Sequence, residues 1–150
     1  MTAELIDSRV REIVERTDIL DVANTYAAVI DGRNWAALAP LFTDDANFEI
    51  VGFGGSSGPA GIVALVKAVV QPLDVTQHVN TNHLVTVRGD DAEHTAYFLA
   101  QHVKQGVPGG DQFLIGGRYE DRLRRTPDGW RFTNRLVTFI WTQGNPAVVS

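Results

Sequence analysis

The chain has no cysteine, a single methionine and no apolar run approaching the roughly 20 residues of a membrane helix. Without cysteine there can be no disulfide, no thiolate metal site and no cysteine nucleophile, so packing alone must hold the fold. Basic residues are also scarce: 13 Lys and Arg against 18 Asp and Glu leave a formal charge of −5. With no basic stripe to neutralise phosphates, neither nucleic acid nor an anionic membrane is expected as a partner. The start of the chain, with Glu4 and Asp7, lacks the basic opening and apolar centre of a signal peptide, and a cytoplasmic location is expected. A GxSxG elbow is missing too, which argues against a serine hydrolase. The pairs Gly54–Gly55 and Gly109–Gly110 fit neither a phosphate loop nor a dinucleotide fingerprint, and read as turns.

What is present suffices for one domain over residues 1–150, since 44% of the chain is hydrophobic and can bury one core. Leu5 or Ile6, Val10, Ile13 and Val14 recur at helical spacing, predicting an amphipathic helix over Ala3–Arg16. That helix runs on, with a kink near Thr17 and Asp18, to end at Asp31. Gly32 suits a positive-φ C-terminus and Asn34 an N-cap for a second helix, Trp35 to Phe42. Val22, Tyr26, Val29 and Ile30 form one apolar face, and Trp35, Leu38, Leu41 and Phe42 another. A strand over Ala46–Val51, a glycine-rich loop over Gly52–Gly58 and a third helix opened by Pro59 follow. From Thr76 the period becomes two, predicting antiparallel strands over His78–Val87, Ala92–Lys104, Phe113–Arg125 and Trp130–Thr142. Helices in front and a meander behind make an α+β fold with a curved sheet closing over the helices. The tail from Gln143 is expected to be loose.

Asp31 stands out as an acid directly after small and apolar residues, at the negative end of its helix. Alternation puts His78, Asn80 and Asn82 on one face of their strand and Val79, Thr81 and His83 on the other. Arg135 shares a face with Val137, Phe139 and Trp141, and an arginine among aromatics needs a partner. The ordinary explanations are an arginine–carboxylate pair at the sheet edge, a satisfied His78, a core Tyr26 and a surface Asp31. His83, His94 and His102 have no metal-site spacing, and His94, beside a turn, is expected to be exposed.

The run IDGRNWAALAPLFTDDANFEI, the segment TQHVNTNHLVTV and GGRYEDRLRRTPDGWRF together resemble the SnoaL-like group of the NTF2-like superfamily, from about Asp18 to Trp141. The resemblance implies a cone-shaped α+β barrel whose N-terminal helices pack on a strongly curved, mainly antiparallel sheet. Within the group the pattern is most similar to hexachlorocyclohexane dehydrochlorinase, scytalone dehydratase and bile acid 7α-dehydratase, which use a strand histidine oriented by an aspartate at the end of the early helix. Carried onto this sequence, His78 falls on the histidine, Asp31 on the aspartate and Arg135 on an arginine facing the leaving group. Tyr26 falls where the dehydrochlorinase carries a lysine. A phenol assists a hydroxyl or carbonyl oxygen where a cation favours chloride, so dehydration or isomerisation is implied over dehydrohalogenation.

The expectation is therefore a lyase or isomerase with catalytic Asp31, His78, Arg135 and Tyr26, no cofactor, no metal and a small apolar, cyclic substrate. Phe53, Asn80, Phe98, Gln101, His102, Phe113, Phe139 and Trp141, with Val51, are the candidates for contacting that substrate. The alternatives are a non-catalytic ligand-binding or assembly subunit of dioxygenase small-subunit type, and a polyketide cyclase or ketosteroid-isomerase-like enzyme. A homo-oligomer, dimer or trimer, is implied by the resemblance as well.

Overall fold

The computed structural model describes residues 2–150. Helix α1 (Ala3–Asp31) is continuous, with Thr2 capping its first turn and no break at Thr17 or Asp18. Only its second half is buried, through Ile19, Ala23, Tyr26, Ala27, Val29 and Ile30. The apolar residues of its first half, Leu5, Ile6, Val10, Ile13 and Val14, all face solvent by about half or more. At its end Gly32 keeps right-handed geometry and Arg33 takes the positive φ of 53°, contrary to the expectation for Gly32. Arg33 is held there by bonds from its guanidinium to the carbonyls of Asp31 and Leu73.

The second helix is shorter than its apolar pattern suggests. Helix α2 (Trp35–Leu38) gives way to a 3-10 turn over Ala39–Leu41. Pro40 has no N–H to continue the α-helical bonding, so the chain leaves helix early. Strand β1 (Phe42–Ile50) thus starts four residues before Ala46, and β2 (Gly54–Ser57) pairs back on it within the expected loop. Helix α3 (Pro59–Val70) begins at its proline.

The remaining strands are β3 (Val75–Arg88), β4 (Asp91–Val103), β5 (Gln112–Thr126) and β6 (Gly129–Gly144), joined as an antiparallel meander. One six-stranded sheet results, in the order β2-β1-β6-β5-β4-β3, with β1 and β6 parallel. The fold is α+β, helices on a strongly curved, mainly antiparallel sheet. The tail is tied down rather than loose: Asn145 bonds the carbonyls of Pro108 and Gly110, and a 3-10 turn over Pro146–Val149 buries Val148. No helix among the described residues is long and apolar enough to cross a membrane.

Helix α1 covers the free edge of β3, and this contact positions the site. An edge strand leaves a row of unpaired backbone groups, a liability that side chains from α1 and β3 cover here. Arg16 donates to the Val85 carbonyl, Asn80 donates to the Ala23 carbonyl, and Asp31 accepts the His78 backbone N–H at 2.8 Å.

Candidate functional site

Asp31 is the last residue of α1, where the chain turns back along the start of β3. Its carboxylate accepts three hydrogen bonds: the Thr76 hydroxyl at 3.0 Å, the His78 N–H at 2.8 Å and the His78 ring Nδ1–H at 2.7 Å. Partial burial pushes this carboxyl up, but the bonds from His78 and then Thr76 outweigh it and hold the group below the usual carboxylate range. An ionised Asp31 can only accept, so Nδ1 carries the proton and the Nε2 lone pair of His78 is free. The His78 side chain is 9% exposed. It sits in the wall of a cavity of about 190 Å³.

That cavity lies between the curved sheet and the helices. Tyr26, Phe98, Tyr119, Phe139 and the C-terminal Val149 supply much of its apolar wall, and His78 and His102 most of its polar groups. Phe53, 73% exposed, stands at its rim with its ring centroid 5.1 Å from that of Phe139. His102 bonds through Nδ1 to the Phe113 carbonyl at 3.2 Å, and its ring meets that of His78 edge-on at 6.0 Å. Burial and then the nearby His78 hold its pKa below the ordinary imidazole value. Tyr26 is buried, and loss of hydration pushes its phenol up to about 12, against the pull of Arg135. Among the described residues no group of three or more His, Cys, Asp or Glu is arranged to hold a metal ion.

Arg135 does not line this cavity. It is wholly buried in a second network, with Nε 2.8 Å and one terminal nitrogen 2.9 Å from the two oxygens of Asp121. Its guanidinium lies 4.1 Å from the Tyr26 ring centre, 4.0 Å from that of Tyr119 and 4.3 Å from that of Phe132. The arginine–carboxylate pair weighed from sequence exists, but in the middle of the sheet, because β5 and β6 are central strands. Asp121 is bonded further to His94 at 2.7 Å, and His94 to His83 at 2.9 Å. His94 is 1% exposed instead of lying at the surface. A bulge between Thr81 and Leu84, with Asn82 at a φ of 54°, turns His83 toward it and breaks the expected alternation of faces.

The other candidates divide. Phe53, Phe98, His102 and Phe139 line the cavity. Asn80 instead ties β3 to α1, and Phe113 is core, where its carbonyl holds His102. Gln101 alternates with His102 and Ala100 and so points away, its side chain bonding the His102 carbonyl. Trp141, 45% exposed, packs over Gly116 because a bulge between Gly116 and Gly117 separates its face from that of Phe139. Val51 stands 45% exposed outside the cavity. Sequence reasoning missed Thr76, Tyr119, Asp121 and Val149. Thr76 and Tyr119 had a signal, lying at even spacing from His78 and from Ile115 on their strands.

A family model described as SnoaL-like domain matches residues 11–136. An uncharacterized protein of Mycobacterium tuberculosis strain H37Rv is 33% identical over 131 residues, covering 86% of this chain and 88% of its own. Gamma-hexachlorocyclohexane dehydrochlorinase of Sphingobium indicum is 28% identical over 125 residues, 82% of this chain and 79% of the enzyme. Among solved structures, a protein of Novosphingobium aromaticivorans provisionally named an aromatic ring hydroxylase superposes with a TM-score of 0.82 at 29% identity. The superposition covers 92% of this chain and 98% of that one.

Proposed function

The chain belongs to the SnoaL-like family, and on that premise we propose that it is a cofactor-independent lyase or isomerase that takes a proton from carbon in a small, apolar, cyclic substrate. One observation carries the reading: a histidine with a free Nε2, fixed at 2.7 Å by a carboxylate, opens onto an apolar cavity. His78 Nε2 accepts the substrate proton, and Asp31 holds the ring in the required tautomer and stabilises the imidazolium that forms. The carbanionic charge moves onto an oxygen or leaves with a departing group. Tyr26, protonated at any ordinary pH, donates a hydrogen bond to that oxygen. Arg135 contributes from behind the Tyr26 and Tyr119 rings, as a buried cation and not as a contact.

The dehydrochlorinase relative supports elimination as the reaction type, and the phenol at Tyr26 favours oxygen over chloride as the group assisted. The reading includes a homo-oligomer, dimer or trimer, in the cytoplasm. Its support is apolar exposure: besides the first half of α1, a row of Val79, Leu99 and Trp141 crosses neighbouring strands over Gly116 and faces solvent.

The test is to offer wild type, His78→Ala and Asp31→Asn a panel of hydroxylated, keto and chlorinated ring compounds and follow loss of water or chloride, or isomerisation. Loss of the base should lower the rate by about 10² to 10⁴. Turnover by His78→Ala at the wild-type rate would remove His78 as the base, and no turnover of any compound by wild type would leave a binding subunit as the better reading.

A further inference from the structure

We propose that the site takes a small, uncharged ring compound bearing a hydroxyl group, and that His102 receives that hydroxyl as a hydrogen-bond acceptor. The inference deepens the lyase or isomerase reading and uses the same cavity, but it concerns binding and can be tested without turnover.

Size comes first. A dry apolar cavity of about 150 Å³ accepts benzene. The cavity here holds about 190 Å³, so a single ring with small substituents fits within it. Its walls give little, because Phe98 stacks on Tyr119 with centroids 4.5 Å apart and both are buried in a close-packed core.

Charge is excluded next. No Lys, Arg, Asp or Glu is among the residues lining the cavity. Arg135 lies behind the tyrosine rings and is already neutralised by Asp121. A carboxylate or phosphate entering here would lose its hydration and find no partner.

The hydroxyl follows from a tautomer. The Phe113 carbonyl can only accept, so His102 Nδ1 carries the hydrogen and Nε2 is a bare lone pair. Burial keeps the ring neutral, which preserves that lone pair. Such a nitrogen rewards a ligand O–H and offers nothing to a carbonyl or halogen. It also has no proton to give, so the hydroxyl it holds is a handle and not the group expelled. In the sheet register His78 pairs with Ala100 and His102 with Thr76, which sets the two imidazoles on one face, two residues apart. A ring held on His102 by its hydroxyl therefore lies against His78.

The experiment is a calorimetric titration of the full chain with phenol, fluorobenzene and benzoate. Phenol should bind roughly tenfold tighter than fluorobenzene, the difference expected for one hydrogen bond. Benzoate should bind at least tenfold weaker than phenol. His102→Leu should abolish the preference for phenol, and His102→Gln, whose side-chain oxygen can accept, should keep part of it. Should His102→Leu not fold, His102→Asn carries the test, since its shorter side chain should lose most of the preference for phenol that His102→Gln retains. Equal binding of benzoate and phenol by wild type, or a phenol preference that survives in His102→Leu, overturns the proposal. If phenol binds as stated but no ring compound is turned over, the catalytic reading fails and this one stands. Turnover of an anionic compound has the opposite meaning.

Discussion

Asp121 shows how much stability can depend on a single buried side chain. It is fully buried, and burial alone would push its carboxyl up; Arg135, with further help from His94, holds it below the usual range. A buried charge of this kind is tolerable only while its partner is present. Asp121→Ala leaves the Arg135 guanidinium unpaired among three aromatic rings, and is expected to cost about 3 to 5 kcal/mol of stability in a urea titration. A loss below about 1 kcal/mol would mean that water reaches the Arg135 guanidinium once Asp121 is gone. Asp31 works under a different constraint. Its side chain is 24% exposed and its three bonds serve one imidazole and its strand, so Asp31→Asn should change activity far more than stability.

Among the elements, β5 decides the shape of the cavity. Gly117 lies under the Phe98 ring and the Thr138 carbonyl, and a Cβ there would overlap both. Gly117→Ala is therefore expected to displace Phe98 into the cavity, costing about 1 to 3 kcal/mol and weakening ligand binding. Unchanged melting and unchanged binding would show that the sheet can shift to make room. Strand β3 has a comparable role at the sheet edge. Its bulge at Asn82 turns one histidine inward, while its unpaired N–H at His78 is what Asp31 can reach. The helix end and the strand edge satisfy each other, and the Asp31–His78 pair is the point where they meet.

For the whole molecule, burial of titratable groups predicts how stability follows pH. Burial holds His83 and His102 below the ordinary imidazole value, so below about pH 6.5 the unfolded chain binds their protons first and stability falls. Asp31 and Asp121 lie below the ordinary carboxylate value, so a second fall begins near pH 4, where again the unfolded chain takes up the protons. Melting temperature should thus drop in two stages from pH 7 to pH 3. A flat profile from pH 7 to pH 4 would contradict the neutral, buried state assigned to His102.

The amino-acid sequence by itself determined the order of elements, the α+β class and the turns, because apolar period, proline, glycine and caps act within a few residues. It also singled out Asp31 and His78, through an acid out of place on an apolar helix end and a resemblance of motifs. Only the tertiary structure decided their distance of 2.7 Å, because 47 residues separate them along the chain. Likewise it alone placed Arg135 behind Tyr26, buried His94 and drew Val149 over the cavity. Those outcomes depend on bulges, on which strands become neighbours, and on buried charges that must find partners far away in sequence. Alternation loses count at a bulge, and no local pattern records which carboxylate an arginine will meet.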